Sequence, residues 1–315
     1  MLFALCFPAE AQQPKKIARI GYLSLRSSFE PREEAFRKGL HELGYIEGQN
    51  IVIEWRFAKG NQDALSELAA ELVRLKPDVI VAAGTQAIRA AKQATTIIPI
   101  VIGQIGDPVQ LGLVASLARP GGNITGLSAM SSDLAGKRLE LLKEAIPKAT
   151  RVVFLHDPRN PGNTLTLKET EAAARSLGVQ IYSLEVRRSD ELLNVFEAAH
   201  KWAAQALLET AVGVWITNED REHFAKLEVK AKLPVMHSDD SLVLAGGLMS
   251  YATDIEEQFR RAATYVDKIL KGTKPADLPV EQPKKFEFII NLKAAKQIGL
   301  TIPPTVLYQA DKVIR

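Results

Sequence analysis

Cysteine is almost absent from this chain, which has 315 residues and a single cysteine, Cys6. It lies in a short apolar stretch that is followed by Ala9-Glu10-Ala11, an order typical of the end of a secretory signal peptide. Cleavage after Ala11 would remove Cys6 and leave a mature chain without disulfides or cysteine metal ligands. We therefore predict that residues 1–11 are a signal-peptide remnant, with a frayed N-terminal tail as the alternative.

Long apolar segments and a dominant charge are also missing. No apolar run approaches the roughly 20 residues that a membrane-spanning helix needs. The chain has 40 Lys and Arg residues and 37 Asp and Glu residues, which gives a formal net charge of +3. The two signs are interleaved along the sequence rather than gathered in a basic stripe, which argues against nucleic-acid binding. The sequence predicts neither a direct membrane span nor a nucleic-acid partner.

The usual short motifs of phosphate binding, catalysis and metal binding are not present. The chain has no G-x-x-x-x-G-K-[ST], no G-x-S-x-G, no H-E-x-x-H, and no G-x-G-x-x-G between a strand and a helix. Its five histidines are scattered over five segments, and surface or capping roles are expected for His156 and His237. We expect no catalytic residues, no metal site and no cofactor.

What the sequence does contain is a regular alternation of apolar strands and amphipathic helices. Strands are predicted at 18–25, 50–57, 78–84, 98–103 and 123–128, and again at 151–157, 179–186, 213–218, 233–239 and 286–291. Helices are predicted between them, including a short one after Asp107 and a long one at 254–271. Continuous apolar strands separated by helices indicate parallel sheets that are covered on both faces. The chain is therefore predicted to be α/β, with two βαβ units in tandem that divide near residue 127.

Several long stretches carry a family resemblance. They include "GLHELGYIEGQNIVIEWRFAKG", "GDPVQLGLVASLARPGGNITGLS", "AGGLMSY" and "YVDKILKGTKPADLPVEQPKKFEFIINLKAAKQIGLTIP". These stretches resemble the TrpX-type ABC transporter substrate-binding proteins. The resemblance implies a type I periplasmic-binding-protein fold, with two doubly wound Rossmann-like lobes joined by three crossovers. It places lobe 1 at 12–126 plus 247–280, and lobe 2 at 127–246 plus 281–315.

The resemblance also implies a function. It predicts a periplasmic receptor without enzymatic activity that traps a small organic solute between its lobes and docks on an ABC permease in the inner membrane. An amino acid or another aromatic or zwitterionic compound is the expected small-molecule ligand. A periplasmic sensing subunit for a kinase or chemoreceptor is the alternative, and an enzyme on a similar fold is the third reading. Neighbouring genes for a permease and an ATPase, or for a kinase, would separate the first two.

Candidate ligand-binding residues follow from the fold, because ligands of open α/β sheets bind beyond the carboxyl ends of the strands. The polar residues at these ends are also typical helix caps, so capping is the competing role for each of them. Tyr251 could stack on a ligand or pack at the hinge. The predicted ligand-binding residues are Ser24, Ser27, Thr85, Gln86, Asp107, Ser128, Asp157, Asn160, Asn163, Asn218, Asp239 and Tyr251.

Two segments depart from the pattern of the family. "VGVWITNEDREHF" replaces a Pro-rich aromatic loop, and Met236 to Asp240 replaces the usual "YG" segment. Both departures fall on lobe 2 loops that are predicted to face the cleft. They leave the fold unaffected and put the identity of the ligand in doubt.

Overall fold

The structure, a computed structural model, describes residues 17–210, 213–214 and 217–315. Its strands, in chain order, are β1 (Ala18–Ser24), β2 (Ile51–Phe57), β3 (Val79–Ala83), β4 (Ile100–Ile105), β5 (Ile124–Ser128), β6 (Arg151–His156), β7 (Gln180–Glu185), β8 (Ala206–Glu209), β9 (Val235–His237), β10 (Met249–Thr253), β11 (Phe286–Asn291) and β12 (Lys312–Ile314). Its α-helices are α1 (Pro31–Glu42), α2 (Ala64–Arg74), α3 (Thr85–Ala94), α4 (Leu134–Ala145), α5 (Pro161–Leu177), α6 (Leu192–Lys201), α7 (Asn218–Ala231), α8 (Asp240–Leu244), α9 (Ile255–Leu270), α10 (Leu292–Ile298) and α11 (Pro304–Gln309).

The first sheet has five parallel strands in the order β2-β1-β3-β4-β5. Its central strands, such as β3, are buried along their whole length, so helices cover both faces as the apolar runs predicted. Helices α2 and α3 bury their apolar sides on one face, and α1 and α9 bury theirs on the other. The Phe259 ring of α9 lies where a side chain on Gly103 of β4 would have to stand, so only glycine fits at that position.

The second sheet has seven strands in the order β12-β11-β10-β9-β8-β6-β7. The adjacent strands β7, β6, β8, β9 and β10 are parallel to one another, whereas β11 runs antiparallel to β10. Helix α5 shows why local boundaries form where they do: Pro161 opens it, the Asn160 side chain caps it, and Gly178 ends it at φ +64°. The result is the predicted α/β fold with two doubly wound lobes, each with its own core.

The chain crosses between the two sheets three times. The crossings follow β5, β10 and α9. The strand β10 is hydrogen-bonded to β9 and β11 in the second sheet, so residues 249–253 do not belong to lobe 1, to which the predicted division at residue 247 assigned them. Main-chain hydrogen bonds from the Glu281 amide to the Gly126 carbonyl and from the Ser128 amide to the Glu281 carbonyl bring the first and third crossings together.

Local predictions failed at two loops. The predicted strand at 213–218 is absent from its described positions: Thr217 caps α7 and Asn218 begins it, while the strand that pairs in the sheet is β8. Trp215 and Ile216 of that prediction lie outside the described residues. Turns replace the predicted short helix after Asp107, where the Leu113 amide donates to the Pro108 carbonyl and Gly112 adopts φ +66°. Within the described residues, no helix combines the length and apolar character needed to cross a bilayer.

Candidate functional site

A cavity of about 140 Å³ lies between the two lobes. From lobe 1 it is bounded by the loops that follow β1, β3 and β4, where the carboxyl ends of parallel strands meet. From lobe 2 it is bounded by the first crossing, by α4, by the first turn of α5 and by the segments after β8 and β9. The site therefore draws on both halves of the molecule and lies beside the segments that join them.

Half of the predicted ligand-binding residues border this cavity: Ser24, Thr85, Gln86, Asp107, Asn160 and Asn163. Several of them also have partners within the protein. The Ser24 hydroxyl accepts a 3.0 Å hydrogen bond from Arg32 Nη2, and Asn163 Nδ2 donates to the Thr210 carbonyl at 3.1 Å. The Asn160 side chain caps α5 by accepting from the Gly162 amide. Capping and cavity lining thus coincide at these strand ends.

Asp107 borders the cavity, but its carboxylate is directed to its own loop. Oδ1 accepts from the amides of Val109 and Gln110 at 2.9 Å each, and Oδ2 accepts from Gln110 Nε2 at 2.8 Å. This is the capping role of an aspartate at a turn. These contacts agree with the capping role that competes with ligand binding at Asp107.

The other six predicted residues do not border the cavity: Ser27, Ser128, Asp157, Asn218, Asp239 and Tyr251. The Ser128 hydroxyl donates to the Gly106 carbonyl at 2.6 Å, and Asp157 is engaged by Arg159 through both carboxylate oxygens. Ser27 is half-buried on the loop after β1.

Asn218, Asp239 and Tyr251 likewise have internal partners. Asn218 Oδ1 accepts from Arg221, and Asp239 caps α8. The Tyr251 ring packs against Phe286 and Phe288 of the neighbouring strand, which agrees with packing rather than ligand stacking.

Sequence reasoning missed the three arginines that border the cavity, which are Arg26, Arg32 and Arg138. Arg26 and Arg138 are buried, with 6% and 3% of their surface exposed. The position of Arg138 in the sequence did indicate that it is buried. Arg138 stands four residues after Leu134 and four before Leu142, on the buried side of α4. A charged residue on an apolar helix face is rarely fully buried unless it is paired.

The two lobe 1 arginines have carboxylate partners. Arg32 Nε lies 2.9 Å from Glu33 Oε1. Arg26 lies 3.8 Å from Glu30 and 3.7 Å from Asp239. Burial and the neighbouring Arg32 lower the pKa of Arg26 to about 10. Both side chains nevertheless have their charge balanced by the protein itself.

Arg138 is different, because its hydrogen bonds go only to main-chain carbonyls. Nε donates to the Tyr251 carbonyl at 2.7 Å, and Nη1 donates to the Ser131 carbonyl at 3.1 Å. Among the residues that the structure describes, no carboxylate lies within salt-bridge distance of its guanidinium. Burial lowers the pKa of Arg138 to about 10, against the opposing attraction of the more distant Glu209. A buried cation of this kind is costly unless something pairs with it.

Two further polar groups at the cavity lack partners in the described part of the chain. They are Gln86 Nε2, at the start of α3, and the hydroxyl of Ser132, a residue that is only 3% exposed. Buried polar groups are almost always hydrogen-bonded in native proteins. Their position at the cavity wall suits them to a ligand that enters from the solvent.

Four charged residues connect the lobes on one side of the cavity. Glu30 Oε1 of lobe 1 accepts from Arg221 Nη2 of lobe 2 at 2.7 Å, and Arg26 of lobe 1 faces Asp239 of lobe 2. We refer to Arg26, Glu30, Arg221 and Asp239 as the interlobe ion cluster. Burial acts against ionisation of Asp239, but the attraction of Arg26 lowers its pKa below the usual value. These side chains are largely buried, so the two lobes are in direct contact on this side of the cavity.

A second buried charge group lies entirely within lobe 2, and it corrects the surface or capping role predicted for His237. Its ring lies 3.1 Å from Glu228 and 3.7 Å from Glu209, and all three side chains are fully buried. Burial alone would lower the pKa of His237, but the two carboxylates raise it to about 9. Burial also raises the pKa of Glu228. The group therefore holds protons tightly in the folded protein.

Comparison with known proteins places this architecture in a family. The sequence model described as "ABC transporter substrate binding protein" matches residues 23–314. The chain belongs to this family. Substrate-binding proteins of the family are extracytoplasmic, and the two lobes with three crossings are the type I periplasmic-binding-protein fold.

Relatives of known kind agree with this assignment. A tyrosine-binding protein of Clostridioides difficile (strain R20291) is 27% identical over 293 residues, covering 91% of this chain and 82% of the relative. The structure of a conserved domain protein from Vibrio cholerae is 29% identical with a TM-score of 0.86, covering 95% of this chain and all of that one. The ABC domain in complex with L-Trp from Streptococcus pneumonia is 26% identical with a TM-score of 0.84, covering 94% and 99%.

Proposed function

We propose that this member of the substrate-binding family is the receptor of an ABC importer and traps a small organic solute between its lobes by hinge closure. It delivers the solute to a permease in the inner membrane and performs no chemistry on it. The proposal rests on the cavity between the lobes. Its wall is built from both lobes and contains buried polar groups without a hydrogen-bond partner among the described residues. A solute there contacts both lobes only when they are closed.

Closure follows from this geometry as a shift of populations. A ligand that touches both lobes binds the closed state better than the open one and moves the equilibrium by that difference in affinity. The chain offers three crossings between the sheets as the hinge, and the interlobe ion cluster as a set of contacts that exist only when the lobes meet.

An amino acid or related zwitterion is the proposed solute. Two relatives, a tyrosine-binding protein and a domain solved in complex with L-Trp, support this class. The size of the cavity supports a small molecule, because its 140 Å³ is close to the roughly 150 Å³ of a protein cavity that holds benzene. The signal-peptide remnant with cleavage after Ala11, which lies outside the described residues, remains our proposal for how the chain reaches the periplasm.

The test combines ligand capture with a measure of shape. Mass spectrometry of the purified protein identifies any solute that co-purifies, and a thermal-shift screen of amino acids follows. A true ligand at a hundredfold excess over its dissociation constant stabilises the protein by about 2.7 kcal/mol. Small-angle scattering, compared between unliganded and liganded protein, reports closure. Recovery of a chemically altered solute, or identical melting and scattering curves across the library, would refute the proposal.

A further inference from the structure

We infer that Arg138 binds the anionic group of the solute, and that the cleft therefore selects solutes that carry a carboxylate. The inference rests on the proposed function and adds the chemical class of the ligand and the residue that recognises it. Arg138 was not among the ligand-binding residues predicted from the sequence.

The bonding of Arg138 leaves its guanidinium without a carboxylate at salt-bridge distance among the described residues. Its two hydrogen bonds fix the guanidinium against the carbonyls of Ser131 and Tyr251, which flank the first and second crossings. The other N–H donors of the fork, on Nη1 and Nη2, have no partner among the described residues. Arg138 also forms part of the cavity wall. A guanidinium held in this way presents a planar fork that matches a carboxylate.

The neighbouring arginines show that the lack of a partner is specific to Arg138. Arg32 is paired with Glu33, and Arg26 with Asp239 and Glu30. All three arginines border the same cavity, yet only Arg138 has no carboxylate within salt-bridge distance among the described residues. A carboxylate supplied by the solute would give Arg138 the ion pair that the other two cavity arginines already have.

A second, independent observation points to the same ligand group. The Ser132 hydroxyl is buried at the cavity wall without a hydrogen-bond partner among the described residues, and so is the Gln86 amide nitrogen. Both are donors, and a carboxylate accepts several hydrogen bonds at once. Gln86 belongs to lobe 1, whereas Arg138 and Ser132 follow the first crossing. A carboxylate held by all three would bridge the lobes.

The experiment compares three classes of probe on the same protein. The probes are L-amino acids, the same amino acids with the carboxylate replaced by a neutral C-terminal amide, and neutral polyols. Each is measured by thermal shift and then by calorimetry. We expect one or more amino acids to bind and the matching amide to bind at least about a hundredfold more weakly, because loss of one partner of a buried charge pair costs affinity on this scale.

Variants assign the effect to residues. Arg138→Gln should weaken binding of the amino acid roughly a hundredfold while leaving the weak binding of the amide nearly unchanged. Ser132→Ala removes no hydrogen bond within the described part of the protein, so it keeps the test meaningful if Arg138→Gln folds poorly. It should weaken carboxylate binding about tenfold. Arg188→Gln, in an exposed pair with Asp190, is the control that should change nothing.

The outcomes distinguish a failure of the Arg138 assignment from a failure of the proposed function. Tight binding of a polyol, or equal affinity for an amino acid and its amide, overturns the assignment to Arg138 and leaves the receptor function standing. Unchanged carboxylate affinity in both Arg138→Gln and Ser132→Ala also overturns it. No binding by any of the three classes counts against the proposed function itself, and the inference falls with it.

Discussion

The interface between the lobes has two regions that differ in how their polar groups are satisfied. In the interlobe ion cluster, every charged side chain faces an opposite charge, with Glu30 and Arg221 2.7 Å apart. At the cavity, Arg138, Ser132 and Gln86 have no such partners among the described residues. Both regions lie between the two lobes.

This difference separates two tasks. The ion cluster can favour closure without any ligand, because its partners belong to the protein and meet only when the lobes meet. The cavity cannot, because closing it without a ligand buries polar groups that have lost their water. A receptor needs both kinds of region. A cleft that is already mostly closed without a ligand leaves only a small shift of population for the ligand to cause.

The strongest test of this division removes one partner of the ion cluster. Arg221→Met removes the 2.7 Å partner of Glu30 and leaves Arg26, at 3.8 Å, as its remaining counter-charge. Loss of one buried hydrogen-bond partner typically costs about 1–3 kcal/mol. We expect that cost to fall on the closed state, so the unliganded protein should become more extended in small-angle scattering and any solute should bind more weakly. Arg188→Met, in an exposed ion pair, is the matched control and should scatter like the parent. Equal scattering by the parent protein and Arg221→Met would show that the interlobe ion cluster does not contribute to closure of the lobes.

The buried charges of lobe 2 sharpen the comparison, because they should affect stability and not closure. His237 has a folded pKa raised to about 9 from 6.5, so its stabilisation is fully present below pH 6.5 and is lost as the pH rises towards 9. Burial also raises the pKa of Glu228, which acts in the same direction from pH 4.5 upwards. Urea unfolding should show a loss of at most about 3 kcal/mol from His237 between pH 6.5 and 9.

A variant and a second observable check this pH prediction. His237→Gln should flatten the dependence of the unfolding free energy over that range. Scattering of the parent protein should stay constant across the same pH values, because His237, Glu209 and Glu228 all lie on elements of lobe 2. A parent protein that gains stability from pH 6.5 to 9 would contradict the assigned charge state.

The smallest expected effect is at Asp107, which borders the cavity but bonds to its own loop. Asp107→Ala should cost about 1 kcal/mol of stability, as the loss of a cap does, and should change solute affinity by less than about threefold. Chemical denaturation and calorimetry on the same variant measure the two effects. A large loss of affinity would place Asp107 with Arg138 among the ligand contacts and weaken the contrast between the two regions.

The sequence predicted the sheets well because their signal is local. Strands such as β3, with the sequence VIVAA, are continuous apolar runs. Polar residues that follow β3 and β6, including Thr85 and Asn163, do border the cavity. The strand β8 was missed because it has four residues and is followed by another short apolar run.

The charged part of the site could not be predicted in the same way. Glu30 and Arg221 are 191 residues apart, and they meet only because the two lobes are in contact. Arg138 differs from an ordinary surface arginine only by its place on the buried side of α4. That signal shows that the residue is buried, but not that its guanidinium lacks a carboxylate partner.

The packing of α9 on the first sheet has a consequence for the life of the newly made chain. Helix α9 covers a face of strands that are all complete by residue 128, and its Phe259 fills the space left by Gly103. A polypeptide that leaves the ribosome N-terminus first therefore exposes that apolar face until the late helix emerges. The half that is synthesised first therefore cannot complete its core until residues 255–270 have been made.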